Sequence, residues 1–336
     1  VTTTLRSFLV IQTAFIGDVI LATALVEKLR KFYPLASIDF LLRKGNETLL
    51  WGNPHIREVI IWDKKKGKLK NLLKLTAYVR SKKYDAVINA HRFASSGLIT
   101  AFSGSPIRAG FDKNPWSFLF THRLKHDLES NLHETDRNQK LIEFISDPYP
   151  ERPRLYPSDK DFQNIQSIKT SRYICIAPTS VWFTKQLPAT QWISFLNSIP
   201  PGVDKVFLLG APADRDHCES IKEQTRNGYV VENLAGQLSF LESAALMKGA
   251  IMNYVNDSAP MHIASSMNAP VAAVFCSTVP SFGFGPLSEK SFIIQTPEKL
   301  DCRPCGLHGH KKCPLEHFKC AYSISVSSML ACLAEQ

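Results

Sequence analysis

The stretch Phe8-Leu-Val-Ile-Gln12-Thr13-Ala-Phe-Ile-Gly17-Asp18-Val19 sets the reading of the whole chain. Phe8–Gln12 is a short apolar run without alternation, the pattern of a strand covered on both faces. Residues 18–32 then carry Val19, Ala22, Val26 and Leu29 at helical spacing, so a helix follows the strand at once. Gly17 permits the tight turn between them, and Asp18 falls at the helix start. Such a loop is where a parallel sheet places its active groups, but an aspartate there reads equally well as a helix cap. The loop lacks a Gly-x-Gly-x-x-Gly pattern, which argues against a dinucleotide-dependent dehydrogenase.

Outward from this unit the same rhythm repeats. Strands are expected at 37–42, 57–61 and Tyr84–Asn89, with a helix at about 67–82. Residues 146–170 interrupt it: Ser146-Asp-Pro-Tyr-Pro-Glu-Arg-Pro-Arg-Leu-Tyr-Pro holds four prolines and reads as a linker. The rhythm restarts with strands at Tyr173–Ala177, Lys205–Leu209, 250–255 and 271–276. Helices are expected at 189–198, 213–225 and 239–248, from 258 onward and at 323–334, with a loop-rich region at 280–320. The expected architecture is α/β, with two doubly wound, Rossmann-like domains facing a central cleft. The boundaries are 1–155, 170–322 and a C-terminal helix at 323–336.

Composition narrows the class. The chain has 336 residues, 44% of them hydrophobic and 21% charged, as for a globular protein with ample core. No apolar run reaches bilayer length and no signal-peptide pattern is present, so a cytoplasmic location is expected. The net charge of +10 is one-sided: residues 1–150 hold 23 basic against 14 acidic side chains. Within residues 57–83 there are 10 basic and 2 acidic. Lys64, Lys65, Lys66, Lys68, Lys70, Lys74, Lys82 and Lys83 lie on or beside a helix with apolar Leu69, Leu72, Leu73, Leu75 and Val79. Such a helix suits an anionic membrane surface, and equally a solvated helix packed by its leucines. The basic residues are not interleaved with aromatics and no nucleic-acid module is recognisable, which argues against nucleic-acid binding. Four of eight cysteines cluster as Cys302, Cys305, Cys313 and Cys320, with His308, His310 and His317 among them. By spacing alone they could hold zinc.

Three loops of the second half carry chemistry. Thr179-Ser180-Val-Trp-Phe-Thr184-Lys185 offers hydroxyls and an ammonium, which suit a diphosphate. Gly210-Ala-Pro-Ala-Asp214 places an acid where ribose hydroxyls bind in related sheets. Asn256-Asp257-Ser258-Ala259-Pro260-Met261-His262 runs from a strand into a helix, and its acid, hydroxyl and helix-start amides can meet sugar hydroxyls and anionic oxygens.

Taken with Thr13-Ala-Phe-Ile-Gly17-Asp18-Val19, Pro178-Thr-Ser…Lys185-Gln-Leu-Pro and the cysteine-bearing tail, these motifs resemble glycosyltransferase family 9, the ADP-heptose:lipopolysaccharide heptosyltransferases. The resemblance spans nearly the whole chain and implies the GT-B fold, with acceptor bound by the first domain and nucleotide sugar by the second. It implies that Asp18 is the general base of an inverting transfer. It assigns the donor to Thr179, Ser180, Lys185, Asp214, Leu238, Asp257, Ser258, Ala259 and His262. Ala259 replaces the family's usual glycine. Thr13, Gly17, His91 and Arg92 are expected at the acceptor. The resemblance implies no cofactor and no catalytic metal. Its expected partners are ADP-heptose, an anionic glycolipid acceptor and the inner membrane surface, with the chain a monomer. Transfer of another nucleotide sugar to a cell-envelope glycan, or non-catalytic binding of such ligands, are the alternatives.

Overall fold

The computed structural model describes residues 5–64, 67–127, 131–169 and 172–334. The chain divides into two compact units, residues 1–156 and 157–336. The first runs β1 (Ser7–Ile11), α1 (Ile16–Phe32), β2 (Ser37–Arg43), β3 (Glu58–Trp62), α2 (Lys68–Ser81), β4 (Ala86–Asn89), α3 (Ala94–Phe102), β5 (Ile107–Phe111), β6 (His122–Leu124) and α4 (Glu134–Gln139). The second continues with α5 (Asp159–Gln166), β7 (Tyr173–Ala177), α6 (Ala189–Ser198), β8 (Lys205–Leu208), α7 (Arg215–Gln224), β9 (Val230–Asn233) and α8 (Phe240–Gly249). It ends with β10 (Met252–Asn256), α9 (Ala259–Ser266), β11 (Val271–Phe275), β12 (Ser291–Gln295), α10 (Lys319–Tyr322) and α11 (Val326–Ala334).

Each unit holds one six-stranded sheet, ordered β3-β2-β1-β4-β5-β6 and β12-β11-β10-β7-β8-β9. All pairings are parallel. Both sheets wind in the same way: the first strand is central, two strands follow on one side, and the chain then crosses to build the other side. A crossover is right-handed, so helices after the reversal lie on the opposite face from those before it. That is why the central strands are buried on both sides and read as continuous apolar runs. Leu9, Ile11, Leu41 and Val87 of the first sheet pack with Leu72 and Val79 of α2. In the second unit Ile174, Ile176, Tyr254 and Val274 pack with Trp192, Phe195 and Met329.

Several local expectations are revised. The first helix begins at Ile16, so Phe15 is its N-cap and Asp18 occupies the third helical position. The carboxylate of Asp18 reaches back to accept the Phe15 N–H at 3.1 Å. The segment 146–170 is not linker throughout. Past its last proline, Ser158 caps α5 and Asp161 returns the contact, forming a capping box. The region 280–320 contains β12, an edge strand in which Ile294 is buried and the other four residues are exposed or half-exposed. The leucines of α2 divide: Leu72 and Val79 enter the core, whereas Leu69 and Leu73 are 68% and 55% exposed. Lys65 and Lys66 lie outside the described residues.

Candidate active site

In a doubly wound sheet ligands gather beyond the strand ends where the winding reverses. In the first unit that point lies between β1 and β4. The loop after β1 holds Thr13 and leads into the first turn of α1 with Gly17 and Asp18, and the loop after β4 holds His91 and Arg92, so the fold brings these five sequence-derived residues to one switch point. Thr13 and His91 are both buried there. The Thr13 hydroxyl stands 3.1 Å from His91 Nδ1 and 3.3 Å from the Lys64 ammonium, which also donates to the Thr13 carbonyl at 2.8 Å. The hydroxyl of Ser96 sits 3.0 Å from the same ring nitrogen. Burial, with Lys64, Arg92 and Arg43 nearby, pushes His91 down to about 3, so its ring is neutral at ordinary pH. His91 therefore orients Thr13 and contributes no charge to an anion.

The charge comes from other groups. Arg43 lies over the Phe15 ring, Lys64 over Trp62 and Arg92 over Phe93. Glu134 and Arg137 of α4 form a buried ion pair, with Arg137 Nη2 and Nε 2.8 and 3.0 Å from one carboxylate oxygen. Burial raises the Glu134 carboxyl to about 7 against the pull of Arg137, and the Asp18 charge raises it further while Arg92 opposes. Asp18, Arg92, Glu134 and Arg137 thus share one electrostatic field. Sequence reasoning missed Glu134 and Arg137 because an acid and a base three apart usually mark a solvated helix face.

The second unit reverses between β7 and β10. Its two flanking loops carry Thr179, Ser180 and Lys185 on one side and Asp257 and Ser258 on the other, the latter running straight into α9 with Ala259 and His262. These loops are joined directly: Lys185 Nζ lies 2.7 Å from Asp257 Oδ2, with both side chains largely buried. The Thr278 hydroxyl donates to the same carboxylate oxygen at 2.6 Å. Asn256, fully buried, accepts the Leu187 N–H at 3.0 Å, and its amide faces the carbonyls of Ala177 and Thr179. It staples the two loops together. Ser258 is the N-cap of α9, and His262 is buried in the same helix. Pro260 has no N–H, and that of Met261 returns to the Ser258 carbonyl, so few amides at this helix start can face a ligand.

Asp214 and Leu238 lie on adjoining loops beyond β8 and β9, where Gly236 N–H bonds to the Gly210 carbonyl at 2.9 Å. Asp214 accepts the Ala211 N–H at 2.7 Å, which shapes its own turn. Gly236 is in the left-handed region, φ +74°, and a side chain there would meet the Pro212 backbone at 2.7 Å. In the cysteine-rich segment Cys302 Sγ lies 3.9 Å from His317 Nε2. Among the described residues, no three His, Cys, Asp or Glu side chains are grouped so as to hold a metal ion.

The first unit thus holds a buried hydroxyl oriented among cations, and the second a lysine–carboxylate pair at its sheet switch point. The chain belongs to glycosyltransferase family 9 (heptosyltransferase), whose model matches residues 72–317. It is similar to lipopolysaccharide heptosyltransferase 3 of Escherichia coli K12, 27% identical over 278 residues, which cover 78% of this chain and 80% of that one. Its fold matches a family 9 glycosyltransferase from Veillonella parvula with a TM-score of 0.85 at 22% identity, over 98% of both chains. It also matches the ADP-heptose lipopolysaccharide heptosyltransferase II of E. coli with a TM-score of 0.75 at 22% identity, over 98% of this chain and 99% of that one.

Proposed function

We propose that this glycosyltransferase moves a heptose from ADP-heptose to a lipopolysaccharide core acceptor, inverting the anomeric centre. The Lys185–Asp257 pair carries the donor side of this reading. A diphosphate arriving at the loop ends would share the ammonium of Lys185, while Asp257, held by Thr278, could turn to sugar hydroxyls. In the reaction the acceptor oxygen bonds to the anomeric carbon as its bond to the diphosphate breaks. The electron pair leaves with ADP, and the hydroxyl proton passes to Asp18. Lys185 meets the charge that grows on the departing diphosphate. The cations around Asp18 suit an acceptor bearing phosphate or carboxylate groups. The relatives named for lipopolysaccharide and ADP-heptose support both substrate assignments.

Thermal unfolding with a panel of nucleotide sugars tests the donor. ADP-heptose should raise Tm in native protein, since a ligand that binds only the folded form stabilises it by mass action, and Lys185→Ala should lose the shift. A shift with another nucleotide sugar but not with ADP-heptose would overturn the donor assignment.

Peripheral contact with an anionic membrane is part of the same reading. Leu69 and Leu73 stand one helical turn apart on the outer side of α2, beside exposed Lys70 and Lys74. No helix among the described residues is long and apolar enough to cross a membrane. An apolar stripe flanked by lysines suits the surface of a bilayer rich in anionic lipid. Co-sedimentation with phosphatidylglycerol vesicles should exceed that with phosphatidylcholine vesicles and fall in Leu69→Ser/Leu73→Ser. Equal binding by native and variant protein would remove α2 from the contact.

A further inference from the structure

We propose that Thr184, held by the Gly309–His310 turn of the cysteine-rich segment, is a positioning residue for Lys185. The inference rests on the reading of Lys185 as the diphosphate-binding lysine. Thr184 is buried, and its hydroxyl uses its full hydrogen-bonding capacity. It donates to the His310 carbonyl at 3.3 Å and accepts the His310 N–H at 2.7 Å and the Ser277 hydroxyl at 3.1 Å. Its backbone repeats the pattern: the N–H bonds to the His310 carbonyl at 3.1 Å, and the carbonyl accepts the Ser277 N–H at 3.2 Å. One residue thereby ties the donor loop to two other segments.

Both segments bear on the Lys185–Asp257 pair. Ser277 precedes Thr278, which holds Asp257. Gly309 has φ +73°, and a side-chain carbon added there would lie 2.8 Å from Thr184 Oγ1 and 3.3 Å from Lys185 Cγ. Its bare backbone therefore forms a wall along the stem of the lysine. The wall is itself fixed. Cys305 N–H bonds to the Ser277 carbonyl at 2.8 Å, and the Arg303 guanidinium reaches the carbonyls of Phe275, Cys276 and Thr278. A lysine on a four-carbon stem has many rotamers, and confining it before the ligand arrives removes part of the ordering cost of binding. The cysteine-rich segment thus serves as the back wall of the donor site.

The experiment compares Thr184→Val, Thr184→Ser, Gly309→Ala, Lys185→Ala and the Thr184→Val/Lys185→Ala double variant, using ADP as the probe in calorimetric titrations. Thr184→Val leaves partners on His310 and Ser277 unmatched, so ADP should bind about tenfold more weakly. Donor KM should rise in parallel and acceptor KM should not change. Thr184→Ser should return to within about twofold of native, because its hydroxyl makes the same three bonds. Gly309→Ala, strained by its φ and crowding the lysine stem, should weaken ADP in the same direction. In the Lys185→Ala background Thr184→Val should add nothing further, the signature of a residue acting through another. Native ADP affinity in Thr184→Val and Gly309→Ala, or an equal loss with and without Lys185, would overturn the positioning role. Native affinity in Lys185→Ala would overturn the diphosphate assignment itself, and the inference with it.

Discussion

Asp18→Asn should fold like the native chain and lose transfer by about 10²–10⁴-fold, the usual contribution of a positioned general base. The two halves of that expectation have separate causes. The structural duty of Asp18 is to accept the Phe15 N–H at 3.1 Å, closing the first turn of α1. An asparagine keeps an oxygen for that bond, so the melting temperature should barely move. Asp18→Ala would lose the bond and about 1 kcal/mol with it, the usual worth of a helix-start contact. What asparagine cannot do is take a proton from the acceptor hydroxyl. ADP affinity should be unchanged, because the donor groups lie on the other unit, and kcat should carry the loss. Activity within tenfold of native in Asp18→Asn would remove Asp18 as the base and leave it as a helix-start residue.

How far such a site can be read in the sequence follows from what each part depends on. Continuous apolar runs such as Phe8–Ile11 and Tyr173–Ala177 announce central strands, because only a strand covered on both faces can afford them. Edge strands lack that mark. Val230–Asn233 and Ser291–Gln295 are half exposed, and His122–Leu124 has only three residues, so periodicity could not separate them from loops. The helix Ala94–Phe102 opens on Ala-Ser-Ser-Gly and resembles a turn. It is shaped by tertiary contact, for a side chain at Gly97 would overlap Asn114. Asp18, Lys185 and Asp257 stood out because strand–loop–helix junctions are where chemistry concentrates, and the fold places them at such junctions. Thr184, Thr278, Glu134 and Arg137 were not. The hydroxyls of Thr184 and Thr278 meet residues distant in sequence, and Glu134 and Arg137 pair locally but are set apart from an ordinary helix-surface pair only by their burial. The position of His91 after a strand was legible but its neutrality was not, since that depends on burial and on cations brought near by three separate segments.

Acid lability should depend strongly on His126. This ring is buried edge-on against Phe111, and burial with Arg92, Lys113 and Arg137 nearby lowers it to about 4 against a weaker opposing pull from Asp112. The sign follows from linkage. Below the ordinary histidine value of about 6.5 the unfolded chain takes up a proton at this position, and the folded chain does not until pH approaches 4. Stability is therefore fully present above pH 6.5 and is lost as pH falls toward 4, by about 3 kcal/mol for this group. His91, held at about 3, acts in the same direction. Glu134 opposes them: its folded value of about 7 lies above the unfolded one, so acidification from 7 toward 4.5 favours the folded chain. One carboxyl offsets one histidine, and the net result is a loss. His126→Phe keeps a ring against Phe111 and removes the titration. The Nδ1 atom it deletes has no hydrogen-bond partner among the described residues. Urea unfolding at pH 8 and at pH 4.5 should show native and variant protein close at the higher pH. At the lower pH the variant should be more stable by about 2–3 kcal/mol. An unchanged difference between the two pH values would mean that His126 takes its proton in the folded chain as readily as in the unfolded one. Glu134→Gln supplies the opposite sign. It deletes the group that gains from acid and should steepen the loss between pH 7 and 4.5, even though removing the carboxylate from Arg137 lowers stability throughout.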